Sequence, residues 1–455
     1  MIERPEVLLR GERARLFPVL ADTSKEGRTL SILLACIESV DIFGKSILAD
    51  LGVKVGSRSK IEAWTEVVLK KGGEKPVRPD GLLIVKTGSK SWTALVEAKV
   101  GNAELTAAQL ESYLEIAKLN GIDALITVSN QFAPLPSQHP VPLSAASLRK
   151  ASLLHWSWMY VLTQASLQLG NGDIEDKEQR VILNEMVRFL SHQSAGVKSF
   201  DQMPAAWSDV SGKIQAGGGV SARANEVHEV VGAWYQETRN LSLILSRQIG
   251  EDVDLKVPRA HVADPVVRLK ADTQLLSTDN CLRATFAVPN AASPIEVVAD
   301  FRKRSVFASM RLSAPGDRKS TKAKLSWLIR QLQKSKPENI HVRFFWPGRG
   351  AFTQHPLTIL RDRPEAAEEN GKVVTSFEVL YAKDLGAKFA QRKNFIVELE
   401  QIVPEFYEQV GQHLKAWQAQ APKIKEERAE AVDVSPEALR DDAEEVVAER
   451  NVPAE

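Results

Sequence analysis

The sequence predicts an α/β domain at the start of the chain, then a helical extension and a second, α+β domain. Three observations predict it: apolar residues at helical spacing between Thr29 and Asp50, β-prone runs after them, and a glycine-rich stretch at 217–219. With 455 residues the chain exceeds one ordinary hydrophobic core, so several domains are expected. A hydrophobic content of 44% and a charged content of 26% are typical of soluble globular proteins.

The first domain is predicted to contain a helix, three strands, a helix and a strand. Thr23 and Glu26 have the spacing of a capping box just before the first helix. Gly72-Gly73 and the run at 87–89 predict turns between the strands. The predicted elements are a helix over 29–50, strands over 64–69, 79–85 and 92–100, a helix over 104–121 and a strand over 123–128.

The rest of the chain is predicted to be mixed. After a proline-rich loop, helices are expected near 157–169 and 177–192 and over 222–250, and a further helix is expected over 388–418, interrupted or kinked at Pro404. In the second domain we expect strands near 284–289, 295–302, 305–312 and 340–346, with a helix over 320–334 among them.

Composition divides the chain further. Eleven acids against three arginines between 426 and 455 predict a solvated, disordered tail. The predicted divisions are a core over 1–130, a helical extension over 131–212 that packs on it, a glycine-rich linker over 213–221, an α+β domain with a basic face over 222–420, and the acidic tail over 421–455.

Cysteine usage and hydropathy predict a cytoplasmic protein. Cys36 and Cys281 are far apart in sequence, which argues against a disulfide framework and fits a reducing compartment. The apolar runs are too short for a signal peptide or a membrane span, so no membrane partner is expected. The eight histidines form no pair with cysteine at zinc-ligand spacing.

Three charged residues, Asp80, Glu97 and Lys99, lie in or beside sequence runs that are otherwise apolar. Because strand side chains alternate between faces, Glu97 and Lys99 are neighbours on one side of their strand. If the strand of Asp80 pairs with that strand as a hairpin, Asp80 lies beside Glu97. Two close carboxylates repel unless a cation or a shared proton lies between them, and Mg²⁺ prefers carboxylate oxygens with a backbone carbonyl. Such an ion beside a lysine is the equipment for hydrolysing a phosphodiester.

These residues resemble a known motif. Pro79-Asp80, sixteen further residues and then Glu97-Ala98-Lys99 are similar to the PD-(D/E)XK motif of the restriction-endonuclease-like nuclease superfamily. The predicted element order resembles the αβββαβ core of that superfamily over about residues 23–130. The resemblance implies that Asp80, Glu97 and the backbone carbonyl of Ala98 ligate the metal, and that Lys99 is the catalytic lysine.

The helix that follows carries a second part of the resemblance. Gln109 and Tyr113, four residues apart and so on one helical face, resemble the Gln-x-x-x-Tyr motif of RecB-like members, which implies a role in holding the substrate backbone or the lysine. Thr106 with Gln109 also fits a capping box, so a purely structural role stays open. Many members add a glutamate, for which Glu66 is the first candidate and Glu38 the second.

A structural interpretation of the motif also stays open. Asp80 then starts a turn, while Glu97 and Lys99 form a solvated pair on an edge strand. The apolar residues Leu82–Val85 and Ala94–Val96 count against it, because both runs are typical of strands buried on both faces.

A strongly basic segment runs from Arg302 to Arg349. It holds thirteen lysines and arginines against two acids, in a chain whose net charge is +1. Lys319, Lys322 and Lys324 stand at the predicted start of a helix that also carries Arg330, and a basic helix start favours phosphate. These four residues are predicted to bind nucleic acid. A solvated face, or a docking face for the acidic tail, is the alternative.

Other features are expected to be structural. His155, in a His-Trp-Ser-Trp run, is expected at the start of a helix rather than in a catalytic site. The glycines at 217–219 lack the lysine of a phosphate-binding loop. Phe344, Phe345 and Trp346 are expected in the core rather than as a stacking platform.

The expected function is that of a Mg²⁺-dependent nuclease, with Mn²⁺ able to substitute. The resemblance implies DNA more than RNA as substrate, and a role in defence or repair. One alternative is a catalytically idle binding subunit with the nuclease fold. Another is an interaction protein of a nucleic-acid complex that oligomerises or recruits a partner through its C-terminal domain.

Overall fold

The computed structural model of the chain describes residues 5–17, 24–71, 78–133, 139–348, 350, 352–369 and 371–418. Thr23, the turn at Gly72-Gly73, Arg349 and the predicted acidic tail over 421–455 lie outside these residues. The described residues up to Trp417 form one compact unit of mixed α/β structure. No helix in the described part of the chain is long and apolar enough to cross a membrane.

A six-stranded sheet lies in the N-terminal half, with its strands in sequence order. The first four strands are antiparallel neighbours, while the last three run parallel to one another. Its strands are β1 (Leu8–Arg13), β2 (Lys60–Leu69), β3 (Gly81–Thr87), β4 (Lys90–Ala98), β5 (Ala124–Ser129) and β6 (Ser152–Ser157). Its helices are α1 (Lys25–Ser39), α2 (Asp41–Ala49), α3 (Ala107–Leu119), α4 (Trp158–Asn171) and α5 (Lys177–Leu190).

The predicted order of helix, three strands, helix and strand is confirmed in α1, β2, β3, β4, α3 and β5. β4 is a central strand between β3 and β5. Leu82 and Leu95 pack on the side of α3, while Leu83 and Val96 pack on the side of α1. The strands are therefore buried on both faces, as their apolar runs predict, and Glu97 does not lie on an edge strand.

The predicted single helix over 29–50 is two helices. Val40 has an extended conformation, with φ of −107° and ψ of 97°, and separates α1 from α2. The two helices meet closely here, because a Cβ on Gly44 would lie 2.0 Å from the carbonyl oxygen of Ile37. The apolar spacing continues through the break, so periodicity alone does not reveal it.

The predicted helical extension contains a strand. β6 pairs in parallel with β5, with His155 opposite Thr127, so His155 lies in the sheet and not at a helix start. A parallel pairing brings together segments distant in sequence, which local pattern does not report. α4 and α5 follow close to the predicted positions.

A seven-stranded antiparallel sheet lies in the C-terminal half, in the order β12-β11-β13-β10-β9-β8-β7. Its strands are β7 (Asp254–Leu255), β8 (Cys281–Ala287), β9 (Ile295–Asp300), β10 (Ser305–Ser313), β11 (Ile340–Phe345), β12 (Thr353–Pro356) and β13 (Ser376–Asp384). The helices of this half are α6 (Ala205–Gln215), α7 (Asn225–Ile249), α8 (Arg259–Ala263), α9 (Pro265–Asp279), α10 (Thr321–Gln331), α11 (Leu357–Asp362) and α12 (Arg392–Gln409). α12 continues through Pro404 rather than being interrupted there.

α6 belongs to the core of the second sheet, although it begins within the predicted extension over 131–212 and ends within the predicted linker over 213–221. The indole Nε1 of Trp207 donates a 2.7 Å hydrogen bond to the carbonyl of Phe389. The predicted linker caps α6, since Gly217 and Gly218 donate backbone hydrogen bonds to its last turn and Gly217 has a φ of 82°. α7 then packs on both halves of the chain.

Candidate active site

Asp80 lies one residue before β3, where the chain passes close to α1. A Cβ on Gly81 would lie 2.8 Å from Cδ1 of Leu34 and 3.1 Å from the carbonyl oxygen of Trp64, so the space at this crossing is tight for any larger residue. Oδ2 of Asp80 accepts a 2.9 Å hydrogen bond from the backbone N–H of Ala98. This bond ties Asp80 to β4 through its side chain. β3 itself begins at Gly81, two residues later than predicted.

Glu97 lies near the end of β4 and is 2% exposed. Its Oε1 accepts hydrogen bonds from Nζ of Lys99 at 2.8 Å and from Nε2 of Gln109 at 2.7 Å. Its Oε2 is buried and has no hydrogen-bond partner within the described chain. Leu95 packs on the α3 side like Glu97, and Val96 packs on the other side, which confirms the predicted alternation.

Lys99 directly follows β4. Its Nζ also lies 3.4 Å from Oε2 of Glu26, in the first turn of α1. Burial lowers the pKa of this ammonium, but the hydrogen bond to Glu97 and the charges of Glu97, Glu26 and Asp80 raise the pKa by more, so it lies above its ordinary value. Lys99 is therefore protonated at neutral pH and acts as a donor and a positive charge, not as a base.

Gln109 and Tyr113 reach the cluster from α3. Besides its bond to Glu97, Nε2 of Gln109 lies 3.4 Å from the Tyr113 hydroxyl, which donates to the carbonyl of Arg78 at 3.3 Å. The hydroxyl of Thr106 accepts the backbone N–H of Gln109 at 3.4 Å and caps α3. The backbone of Gln109 therefore takes part in the helix cap, while its side chain contacts Glu97 rather than the lysine.

The cluster is electrostatically unbalanced. Burial and the charge of Glu97 raise the pKa of Asp80 to about 7, although the N–H of Ala98 and the charge of Lys99 act in the opposite direction. Lys99 is shared between Glu97 and Glu26, so it does not neutralise both of the paired carboxylates. An orphaned carboxylate oxygen in a buried place is costly, and a cation or a proton relieves that cost.

The oxygens in this place suit a hard divalent cation. Within the residues that the structure describes, no three His, Cys, Asp or Glu side chains are grouped to hold a metal. Mg²⁺ needs fewer, because it keeps several waters and takes one or two carboxylates. Asp80 and Glu97 supply these. The carbonyl of Ala98 points to the same strand edge as its N–H, which Asp80 already accepts.

Neither predicted additional glutamate joins the cluster through a described hydrogen bond or ion pair. Glu66 is exposed, with a positive φ of 52°, where β2 carries an extra residue relative to β1. Its backbone N–H lies 3.2 Å from the carbonyl oxygen of Asp80. Glu38 forms an ion pair with Arg13 and accepts the backbone N–H of Ala63, so its carboxylate is engaged elsewhere.

The additional acid at the cluster is Glu26, which the sequence interpretation had placed only in a capping box. Glu26 is four and eight residues before Leu30 and Leu34, so it lies on the same face of α1. Those leucines are the ones that approach Gly81, next to Asp80. The face that Glu26 shares with Leu30 and Leu34 is visible in the sequence, but only the structure shows that this face packs over Gly81.

The four residues predicted to bind nucleic acid do not share one environment: three are exposed, and the fourth is hydrogen-bonded within the protein. Lys319, Lys322 and Arg330 are exposed at and along α10. Nζ of Lys324 instead donates a 2.9 Å hydrogen bond to the carbonyl of Val374. Lys324 therefore secures α10 to a neighbouring loop, and three of the four cations face solvent.

His155 belongs to a buried network at the end of the first sheet. Its Nε2 lies 2.8 Å from the carbonyl of Gln131, so Nδ1 accepts the hydroxyl of Thr127 at 2.7 Å. Thr127 in turn accepts from Nε2 of His139 at 2.9 Å, and Nδ1 of His139 accepts the N–H of Val141 at 3.0 Å. Every ring nitrogen is satisfied with both imidazoles neutral, as expected for a structural histidine.

Comparison with known proteins finds no match. No family model, no curated protein and no solved structure matches this chain. Its function is therefore inferred from the arrangement of Asp80, Glu97 and Lys99.

Proposed function

We propose that the protein is a metal-dependent nuclease that hydrolyses phosphodiester bonds. The observation that carries the proposal is the meeting of Asp80 and Glu97 in one buried space beside protonated Lys99, with Oε2 of Glu97 left unpaired. The PD…ExK spacing and the order α1, β2, β3, β4, α3, β5 support it, since both are similar to the restriction-endonuclease-like core. DNA is the favoured substrate, because the superfamily that the motif resembles mostly cuts DNA.

Asp80, Glu97 and the carbonyl of Ala98 are proposed to hold Mg²⁺, for which Mn²⁺ can substitute. Bound there, the ion would lower the pKa of a water and polarise a phosphoryl oxygen. The two carboxylates are positioned before any ion arrives, Asp80 by the N–H of Ala98 and Glu97 by Gln109. Preorganised ligands need no reorganisation when the ion binds.

Lys99 has a role that the metal cannot fill. Its ammonium has three N–H donors, of which the carboxylates of Glu97 and Glu26 take two. The remaining donor is available to orient the attacking water or to stabilise the charge that develops on phosphate. Because its pKa is raised, Lys99 keeps its proton at neutral pH and provides this donor continuously.

Cleavage assays test the proposal. Wild type with Mg²⁺ or Mn²⁺ is expected to degrade plasmid and linear DNA, and EDTA is expected to stop it. Asp80→Asn should abolish cleavage, and Lys99→Ala should reduce the rate by about 10²–10³, the loss typical of one preorganised donor. Glu66→Gln is the matched control, because this exposed carboxylate lies nearby without joining the cluster.

Two outcomes contradict the proposal. In the first, the wild type binds DNA or RNA but cleaves neither with either metal, alone or with cell extract, which supports the idle binding subunit instead. In the second, Lys99→Ala cleaves as fast as the wild type. Thermal unfolding of each variant shows whether a loss of activity reflects a loss of fold.

A further inference from the structure

The second sheet has one face that turns away from the apolar core. Along β10, Val306, Ala308 and Met310 are buried in the core, while Phe307 and Arg311 alternate to the opposite face. The same alternation in β11 places Arg343 and Phe345 on this outer face. Phe345, expected in the core from sequence, is among them and is only half-buried.

Arginines and phenylalanines interleave on this surface, which we name the arginine–phenylalanine face and define as Arg311, Arg343, Phe307, Phe345 and Phe352. The guanidinium carbon of Arg311 lies 3.8 Å from the ring centre of Phe345. That of Arg343 lies 5.2 Å from Phe307 and 4.9 Å from Phe352. Phe352 is 47% exposed, so part of this large apolar side chain faces solvent.

Hydrogen bonds between neighbouring strands hold Arg343 in position. Arg311, Glu378, Arg343 and Gln354 stand directly opposite one another across β10, β13, β11 and β12. Glu378 is 8% exposed and accepts from Ser309 at 2.8 Å and from Arg343 at 3.1 Å, while Gln354 accepts from Arg343 at 2.9 Å. Arg343 is therefore fixed before any ligand binds.

The face continues into an open cavity of about 610 Å³. Lys256, Arg283, Arg311 and Arg343 line it, against the two acids Glu296 and Glu378. Since Glu378 is already paired with Arg343, the uncommitted charge of the lining is mainly positive. Lys256, Arg283 and Arg311 are exposed, so their charge is presented to solvent.

We propose that the arginine–phenylalanine face and this cavity bind single-stranded nucleic acid. Cations match the phosphates of the backbone, while exposed rings and guanidinium planes stack with bases. Paired bases in a duplex hide the faces that such a platform needs, so the unpaired strand is favoured. This face is separate from the Asp80–Glu97 cluster. Any contribution of the face to cleavage rests on the proposed nuclease function.

Fluorescence anisotropy of a labelled single-stranded oligonucleotide, with full-length protein in EDTA, tests the proposal without any cleavage. Arg283→Gln with Arg311→Gln should reduce the slope of log affinity against log salt by about 1.4, since each phosphate contact on a single strand contributes about 0.7. Phe345→Leu should weaken binding roughly tenfold or more through lost stacking. Lys177→Gln with Arg188→Gln, two exposed cations on α5, is the matched control of equal charge and should leave binding nearly unchanged. The same loss of charge on α10, in Lys322→Gln with Arg330→Gln, distinguishes the face from the basic helix.

Four results overturn the proposal: no binding at low salt, no change in folded Arg283/Arg311 and Phe345 variants, a loss confined to the α10 variant, or equal affinity for a duplex of the same sequence. The last two place binding on α10 or show charge attraction alone. These results are independent of the nuclease test, because binding without cleavage leaves the face supported. Cleavage that the Arg283, Arg311 and Phe345 variants do not alter removes only a contribution of the face to cleavage.

Discussion

Oδ2 of Asp80 accepts the backbone N–H of Ala98 at 2.9 Å, so the loop before β3 is fastened to the end of β4. This bond places Asp80 beside Glu97, the residue that precedes Ala98, in a space where burial and the charge of Glu97 both oppose the charge of Asp80. The proximity that favours a divalent cation is therefore a source of instability in the protein without one.

Asp80→Asn is expected to raise the thermal stability of the metal-free protein at pH 8. The folded pKa of Asp80, about 7, lies above its ordinary value, so its contribution to stability is present at acidic pH and is lost as pH rises through 7. The amide keeps an oxygen for the N–H of Ala98 but carries no charge. Unfolding temperatures in EDTA at pH 5 and pH 8 check this, and a variant less stable than wild type at pH 8 contradicts it.

Metal binding should be pH-dependent in the same range. Because Mg²⁺ or Mn²⁺ displaces the Asp80 proton, apparent affinity should rise up to about tenfold per pH unit below 7 and level off above it. The metal-induced increase in unfolding temperature measures this, and EDTA should reverse it. Glu66→Gln should retain the dependence. A wild-type affinity that stays flat from pH 5.5 to 8 means that no proton on Asp80 competes with the ion.

Gln109→Ala should reduce cleavage or metal affinity by about 10–100-fold, the usual effect of losing a group that orients a metal ligand. Its Nε2 is one of two donors to Oε1 of Glu97. Thr106→Ala is the control: it removes the helix cap and about 1 kcal/mol of stability, but leaves that contact intact. Steady-state cleavage and urea unfolding, measured on both variants, separate the two roles. Equal activity losses in both would assign Gln109 to the cap alone.

Among three glutamates near the cluster, Glu26 should be the one that affects cleavage. Its 3.4 Å contact with Lys99 is part-exposed, so Glu26→Gln is expected to lower the rate by up to about fivefold. Glu66→Gln should cleave like wild type. Glu38→Gln should affect stability rather than rate, because Glu38 is paired with Arg13. A larger rate loss in Glu66→Gln than in Glu26→Gln reverses this assignment.

The histidine network should make the protein sensitive to mild acid. Burial lowers the pKa of His155 to about 3 and that of His139 to about 4, so both are neutral in the fold and charge on unfolding. Their stability is fully present above the ordinary value of 6.5 and declines as pH falls toward 4. His155→Leu should cost about 1–3 kcal/mol at pH 7.5, because the carbonyl of Gln131 and the hydroxyl of Thr127 each lose a hydrogen-bond partner. The stability of the variant should fall less than that of the wild type between pH 7.5 and 5. Urea unfolding at both pH values measures it, and identical pH slopes would exclude the network as the cause.

The sequence by itself determined the order α1, β2, β3, β4, α3 and β5, but not β1 or the break between α1 and α2, and it determined the residues of the Asp80–Glu97–Lys99 cluster. Alternation along β4 places Glu97 and Lys99 on one face, and apolar runs on both sides bury the strand. These properties are local, since they depend on a strand's period of two residues and on turns that return the chain antiparallel. The face shared by Gln109 and Tyr113 likewise follows from helical spacing.

Only the tertiary structure decided which further residues join them. A bulge in β2 exposes Glu66, while the packing of α1 over Gly81 brings Glu26 to Lys99. The parallel pairing that makes β6 a strand, and the open face that exposes Phe345, depend on segments far apart in sequence. Local periodicity carries no information on such long-range contacts, so the same residue type lies in the core, at a site or on the surface according to what packs against it.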